Sequence, residues 1–187
     1  MLNQFFDKYI FTNTLKYTHN NFYLVNVPFV ISPTGMYLSL LAKKNPSFHK
    51  EMYYLIKEGM AKEFMSRFYE IGIDNAKEID FVRAFFMASG WGSIQIINLE
   101  AESKRAIITV DNSPFASELK GKVDFPIDTF LRAALAGLFS HYFKTNVDCV
   151  ESECAANTAK SCKFIIKPAT EFDFSSKLVQ EQLDPEK

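Results

Sequence analysis

Asp128-Thr-Phe-Leu-Arg-Ala-Ala-Leu-Ala-Gly-Leu-Phe-Ser-His-Tyr-Phe-Lys-Thr-Asn-Val-Asp-Cys-Val-Glu-Ser-Glu-Cys-Ala-Ala-Asn-Thr-Ala-Lys-Ser-Cys-Lys-Phe164 decides how this chain is read. Leu131, Leu135, Leu138, Phe139 and Tyr142 recur at helical spacing, which predicts a helix over 127–143. Ala133, Ala134, Ala136, Gly137 and Ser140 give it a second side small enough for close packing. Two strands, 147–155 and 163–167, are expected next, joined by a short polar loop. All three cysteines of the protein, Cys149, Cys154 and Cys162, fall in this last part.

Upstream, Leu15–Tyr17 and Phe22–Ile31 predict a β-hairpin turning at Asn20-Asn21, with Pro28 at an edge or a bulge. A short helix is expected over Asn3–Phe11. Ser32 and Pro33 open a helix that Asn45-Pro46 closes. In the helix that begins at Ser47, an apolar stripe runs Phe48, Met52, Leu55, Ile56, Met60, Phe64, Phe68. Gly59 within it implies a close backbone contact. A third helix carries Ile79, Val82, Phe85, Phe86 and Met87 inward and ends at the Gly90-Trp91-Gly92 turn. Two antiparallel strands, 94–99 and 105–111, follow. The expected class is α+β: an antiparallel sheet packed against about four helices. Residues 1–32 form an N-terminal extension, 33–168 the domain, and 169–187 a polar tail.

With 187 residues and 48% hydrophobic content, the chain can bury a core without disulfides. A formal net charge of −1 gives no overall basic footprint for nucleic acid. There is no long apolar run for membrane insertion and no basic, apolar leader, so a cytoplasmic location is expected. The 19 Phe and 8 Tyr argue for a dense core or an apolar cavity. Phe85, Phe86, Trp91, Phe115, Phe130 and Phe139 come from segments able to wall one pocket for a small hydrophobic or aromatic ligand.

Glu151, Cys154 and Cys162 lie on one strand-loop-strand unit, and thiolate with carboxylate suits zinc. On a regular strand, however, Cys149, Glu151 and Glu153 share one face and Cys154 points to the other. Glu151 meets Cys154 only if a bulge or the strand end re-aims one of them. Two other readings stay open: three small buried hydrophobes, or a Cys154–Cys162 disulfide. His19, His49 and His141 complete no catalytic triad, and no nucleotide-binding fingerprint occurs.

Ala136-Gly137, Ser140, Glu151-x-x-Cys154 and Cys162-Lys-Phe164, with Gly59, Gly90-Trp91-Gly92 and Asn112-Ser113-Pro114-Phe115 upstream, resemble the 4-vinyl-reductase-like domain family over roughly 33–168. The resemblance implies an α+β ligand-sensing domain, related in fold to vesicle-tethering subunits, that commonly forms homodimers. In the phenol-sensing members three Cys and one Glu hold a structural zinc. That implies ligands at Glu151, Cys154 and Cys162, with Asp128 where the family has its first cysteine and Cys149 as an alternative. The function implied is small-molecule sensing with output through an unidentified downstream protein. The alternatives are a vinyl-reductase-type enzyme of tetrapyrrole metabolism and a protein-interaction scaffold.

Overall fold

The computed structural model describes residues 15–24, 27–64 and 75–185. The helix expected over Asn3–Phe11 lies outside them. The main sheet has four antiparallel strands: β4 (Ser93–Glu100), β5 (Arg105–Asp111), β6 (Val147–Glu153) and β7 (Cys162–Pro168), in the order β4-β5-β7-β6. Ala106, Ile108 and Val110 of β5 are buried in alternation, as are Cys162, Phe164 and Ile166 of β7. The register pairs them across the sheet, Val110 with Cys162, Ile108 with Phe164 and Ala106 with Ile166, so one face forms a continuous apolar layer.

A second sheet is the meander β1 (Leu15–Thr18), β2 (Asn21–Leu24), β3 (Val27–Phe29). Its first turn uses His19 and Asn20, both at positive φ, one residue earlier than the asparagine pair suggests. Pro28 sits on the edge strand β3, where a missing N–H costs no ladder bond.

The helices are α1 (Gly35–Leu41), α2 (Pro46–Gly59, continuing as a wider π turn Met60–Phe64), α3 (Asn75–Ala88), α4 (Pro114–Glu118), α5 (Thr129–Phe143) and α6 (Lys177–Gln182). No helix among the described residues is long and apolar enough to cross a membrane. Helix α1 starts at Gly35 with Thr34 at its cap. Ser32 is not a cap, because its hydroxyl is taken by Tyr37 Oη at 2.7 Å. Asn45 both ends the preceding segment and caps α2, accepting from Phe48 N at 3.1 Å with Pro46 at the first turn. Residues 172–183 do not hang loose: Phe172, Val179, Gln182 and Leu183 are buried. The Gln182 amide pairs with both backbone groups of Glu151, at 2.9 and 3.0 Å, and so covers the outer edge of β6.

Helix α5 is the centre of the packing and is buried along most of its length. Its neighbour α2 buries His49, Tyr53 and Lys57, whereas Leu55 of the expected stripe is 65% exposed. The correction has a physical source: this face is held by polar bonds. Tyr53 Oη donates to Asp148 Oδ1 at 2.9 Å and accepts from Cys149 N at 2.9 Å. Lys57 Nζ reaches the same Asp148 oxygen at 2.6 Å, with both side chains buried. Met87, expected inward, is 43% exposed at the end of α3.

The close contact expected at Gly59 belongs instead to Gly137. A Cβ on Gly137 would lie 2.5 Å from Lys57 O and 2.7 Å from Met60 Cβ, while nothing approaches Gly59. Gly137→Ala should therefore lower stability by about 1–2 kcal/mol, the overpacking cost exceeding the gain in helix propensity. Gly59→Ala should raise it by up to about 1 kcal/mol. Urea unfolding midpoints of the two variants test this, and shifts of the same sign would contradict the packing described.

Candidate functional site

The β6–β7 register runs from Val147 opposite Pro168 to Glu151 opposite Phe164. It then skips Ser152, so that Glu153 faces Lys163. This bulge resets the side-chain alternation and turns Cys154 toward the side of Glu151. Cys162 opens β7. One ligand atom each from Glu151, Cys154 and Cys162 lie within 4.8 Å of one another, and all three residues are buried. The cysteines are free thiols, which closes the disulfide reading for this structure.

Backbone amides converge on the sulfurs. Ala155 N donates to Cys162 Sγ at 3.3 Å, and Ile127 and Ala156 donate to Cys154. The hydrogen bond from Cys162, then those from Glu151 and these two amides, pull the Cys154 thiol down to about 6. The same contact with Cys154, then burial, pushes the Cys162 thiol up. Burial, then the charges of Asp128 and Cys154, hold the Glu151 carboxyl well above its usual range.

Asp128, just before α5, is fully buried and borders this group. Its backbone N donates to Glu151 Oε2 at 2.9 Å, its Oδ1 accepts from Ser113 Oγ at 3.0 Å, and its carboxylate takes a hydrogen bond from Cys162. Burial lifts it to about 6. Asp128 Oδ2 and Glu151 Oε1 are buried without a hydrogen-bond partner among the described residues. Two orphaned carboxylate oxygens beside two thiols make a donor set of the kind that zinc takes. Cys149 is outside the group. It precedes Glu151 by a full strand repeat of about 7 Å, and its environment is the Tyr53–Arg132 side, where burial pushes its thiol up.

A cavity of about 630 Å³ opens between the meander, α1, the end of α3 and the start of α5. Trp91, Phe115 and Phe130 line it, as expected. Phe22, Phe29 and Tyr37 complete its aromatic wall, and periodicity does not reveal them because they come from a strand edge and a short helix. Edge-to-face contacts link Tyr37 to Phe115 and Phe130, and Trp91 to Phe115, with centroids 5.6–6.0 Å apart. Phe85 and Phe86 stand one layer behind, against Phe29 and Trp91. Phe139 is not in the wall. It lies nine residues beyond Phe130, about 13 Å along the helix axis, packed on Tyr142 and Phe143. Gly92 fixes the Trp91 turn, because its φ of +98° and a Cβ position 2.7 Å from Asp111 O exclude other residues. Exposed Val30 and Ile31 form part of the lining, and the Ser32–Tyr37 hydroxyl pair is its polar feature.

The acidic cluster and the cavity share two short segments. Ser113 bonds Asp128, and Phe115 and Phe130, each two residues on, are walls of the cavity.

In metal-free protein Asp128→Asn should stabilise by about 1–2 kcal/mol at pH 7.5. The folded-state value of about 6 exceeds the ordinary 3.8, so the aspartate's favourable contribution is present below 3.8 and lost as pH rises through 6. Asparagine stays neutral and keeps it. Denaturant midpoints with chelator present, at pH 7.5 and pH 4, check this. The gain should vanish at the lower pH, and a loss of stability at pH 7.5 would refute the burial argument.

The family model of the vinyl-4-reductase (4-vinyl-reductase-like) domain matches residues 106–168, from β5 through β7, a span that contains Asp128, Glu151, Cys154 and Cys162. No curated protein matches the chain. Among solved structures, the phenol-responsive sensory domain of the transcription activator PoxR with phenol is similar at a TM-score of 0.71 and 9% identity, covering 90% of this chain and 92% of that one. A vinyl-4-reductase family protein from Methanocaldococcus jannaschii has a TM-score of 0.50 at 18% identity, covering 74% of this chain and 83% of the other. A trafficking protein particle complex subunit 3 from Naegleria fowleri covalently bound to palmitic acid has a TM-score of 0.41 at 12% identity, covering 73% and 82%. At these identities the likeness is one of fold. With the family match over β5 to β7 and the fold shared with a sensory domain, this chain carries a 4-vinyl-reductase-like domain.

Proposed function

We propose that the protein is a binding module that holds a small hydrophobic, preferably aromatic, molecule in the Trp91–Phe115–Phe130 cavity. The observation that carries this reading is the cavity itself: about 630 Å³, walled by aromatic rings, within the usual size of small-molecule sites. The Tyr37 and Ser32 hydroxyls offer a hydrogen bond to a ligand with a phenolic or carbonyl oxygen. PoxR's sensory domain, of the same fold and solved with phenol, supports the class of ligand.

Within the same proposal, Glu151, Cys154 and Cys162, with Asp128 beside them, hold a structural zinc ion. When bound, the ion supplies positive charge that neutralises the buried acids and fastens the 155–161 loop to the start of α5. Ser113 and Asp128 then keep Phe115 and Phe130 in place. The reading is therefore of a cavity whose wall is braced from behind, with the occupied state passed to another protein.

Trp91 is the only tryptophan and lines the cavity, so its fluorescence reports occupancy directly. Phenol and longer alkylphenols should change it saturably, and Phe130→Ala should weaken binding about tenfold by removing a wall. A linear, unsaturable response from the wild type would count against the reading. Elemental analysis should find one zinc per chain. Cys154→Ser should lose both the metal and several degrees of Tm; a variant of unchanged stability and metal content would refute the brace.

A further inference from the structure

Arg132 is the largest fully buried side chain, at 2% exposure. Arginine is rarely buried without a counter-charge. Its Nη1 donates to Gln182 O at 2.8 Å and Cys149 O at 3.3 Å, and its guanidinium lies 4.1 Å from the centre of the Tyr53 ring. Among the described residues no carboxylate forms an ion pair with it. Asp148 is taken by Lys57 and Tyr53, and one Glu151 oxygen by Asp128 N. Nε and Nη2 have no protein acceptor among the described residues.

Arg132 forms part of the lining of a second cavity, of about 140 Å³, where the starts of α2 and α5 meet α6. That is room for roughly five water molecules. Pro46, Phe125 and Pro126 are its apolar walls, and Glu181 contributes a half-exposed carboxylate. His49 is fully engaged. Its Nε2 faces Lys43 O at 2.7 Å and therefore donates, so Nδ1, at 2.8 Å, accepts the Thr129 hydroxyl. Arg132 is left as the cationic group facing this space from its buried side.

We propose that this cavity binds small monocarboxylates, with the ligand carboxylate on the Arg132 guanidinium and its short carbon chain against Phe125, Pro126 and Pro46. A planar guanidinium matches a planar carboxylate through two parallel hydrogen bonds. The apolar walls favour a short organic tail. Glu181 opposes doubly charged anions such as phosphate, which adds discrimination by repulsion. The cavity shares no lining residue with the larger one, so the two proposals fail independently.

The test is a thermal-shift titration of the full chain with sodium propionate, inorganic phosphate and sodium chloride at matched ionic strength, pH 7.5. Propionate should raise the midpoint saturably, with phosphate no better than chloride. Glu181→Gln, at the rim, should tighten propionate about fivefold and admit phosphate. Arg132→Met, where it folds, should abolish the response. A midpoint that follows ionic strength alone in the wild type would overturn the proposal, as would a propionate affinity unchanged by Glu181→Gln.

Discussion

Four acidic groups meet in a dry space where β6, β7 and the start of α5 converge, and they cannot all ionise there without positive charge. Burial and mutual repulsion raise Asp128 and Glu151, while donated hydrogen bonds drive Cys154 the other way. The surrounding structure is arranged to hold them in contact rather than apart. The bulge at Ser152 turns Cys154 inward, Gln182 clamps the Glu151 backbone, and Ser113 ties Asp128 to the segment that walls the large cavity. Keeping such groups close has a cost in stability, and a bound divalent ion offsets it.

The helices carry that arrangement. Gly137 lets α5 lie against the backbone of α2 at Lys57 and Met60, closer than any side chain would allow. The same contact line brings Tyr53 and Lys57 onto Asp148 and sets Tyr53 under Arg132. One helix pair thus anchors β6 by polar bonds, while β6 presents Glu151 to the acidic cluster. Cavity and cluster are coupled through Ser113–Phe115 and Asp128–Phe130, which explains how bracing one end steadies the walls of the other.

Much of this was legible in the residues. The α5 periodicity, the strands that flank it and the Glu151-x-x-Cys154 spacing are local patterns, and local patterns survive folding. Alternation even required the bulge, since Glu151 and Cys154 cannot otherwise share a face. The less legible parts depend on partners far along the chain. The buried face of α2 is polar because Asp148 and Thr129 await it, so a hydrophobic stripe points one residue astray. Gly59 and Gly137 are indistinguishable in sequence, and only the helix crossing shows which one is needed. The C-terminal segment reads as polar, yet Val179, Gln182 and Leu183 bury themselves against α2 and β6. Phe139 has the right chemistry for the cavity wall and the wrong height on its helix.

Zinc K-edge X-ray absorption on purified, metal-loaded protein addresses the acidic cluster most directly. Two sulfur scatterers at about 2.3 Å and oxygen scatterers at about 2.0–2.2 Å, with one sulfur lost in Cys162→Ser, are the result this account predicts. A metal shell of oxygen and nitrogen alone, unchanged by that substitution, would contradict it.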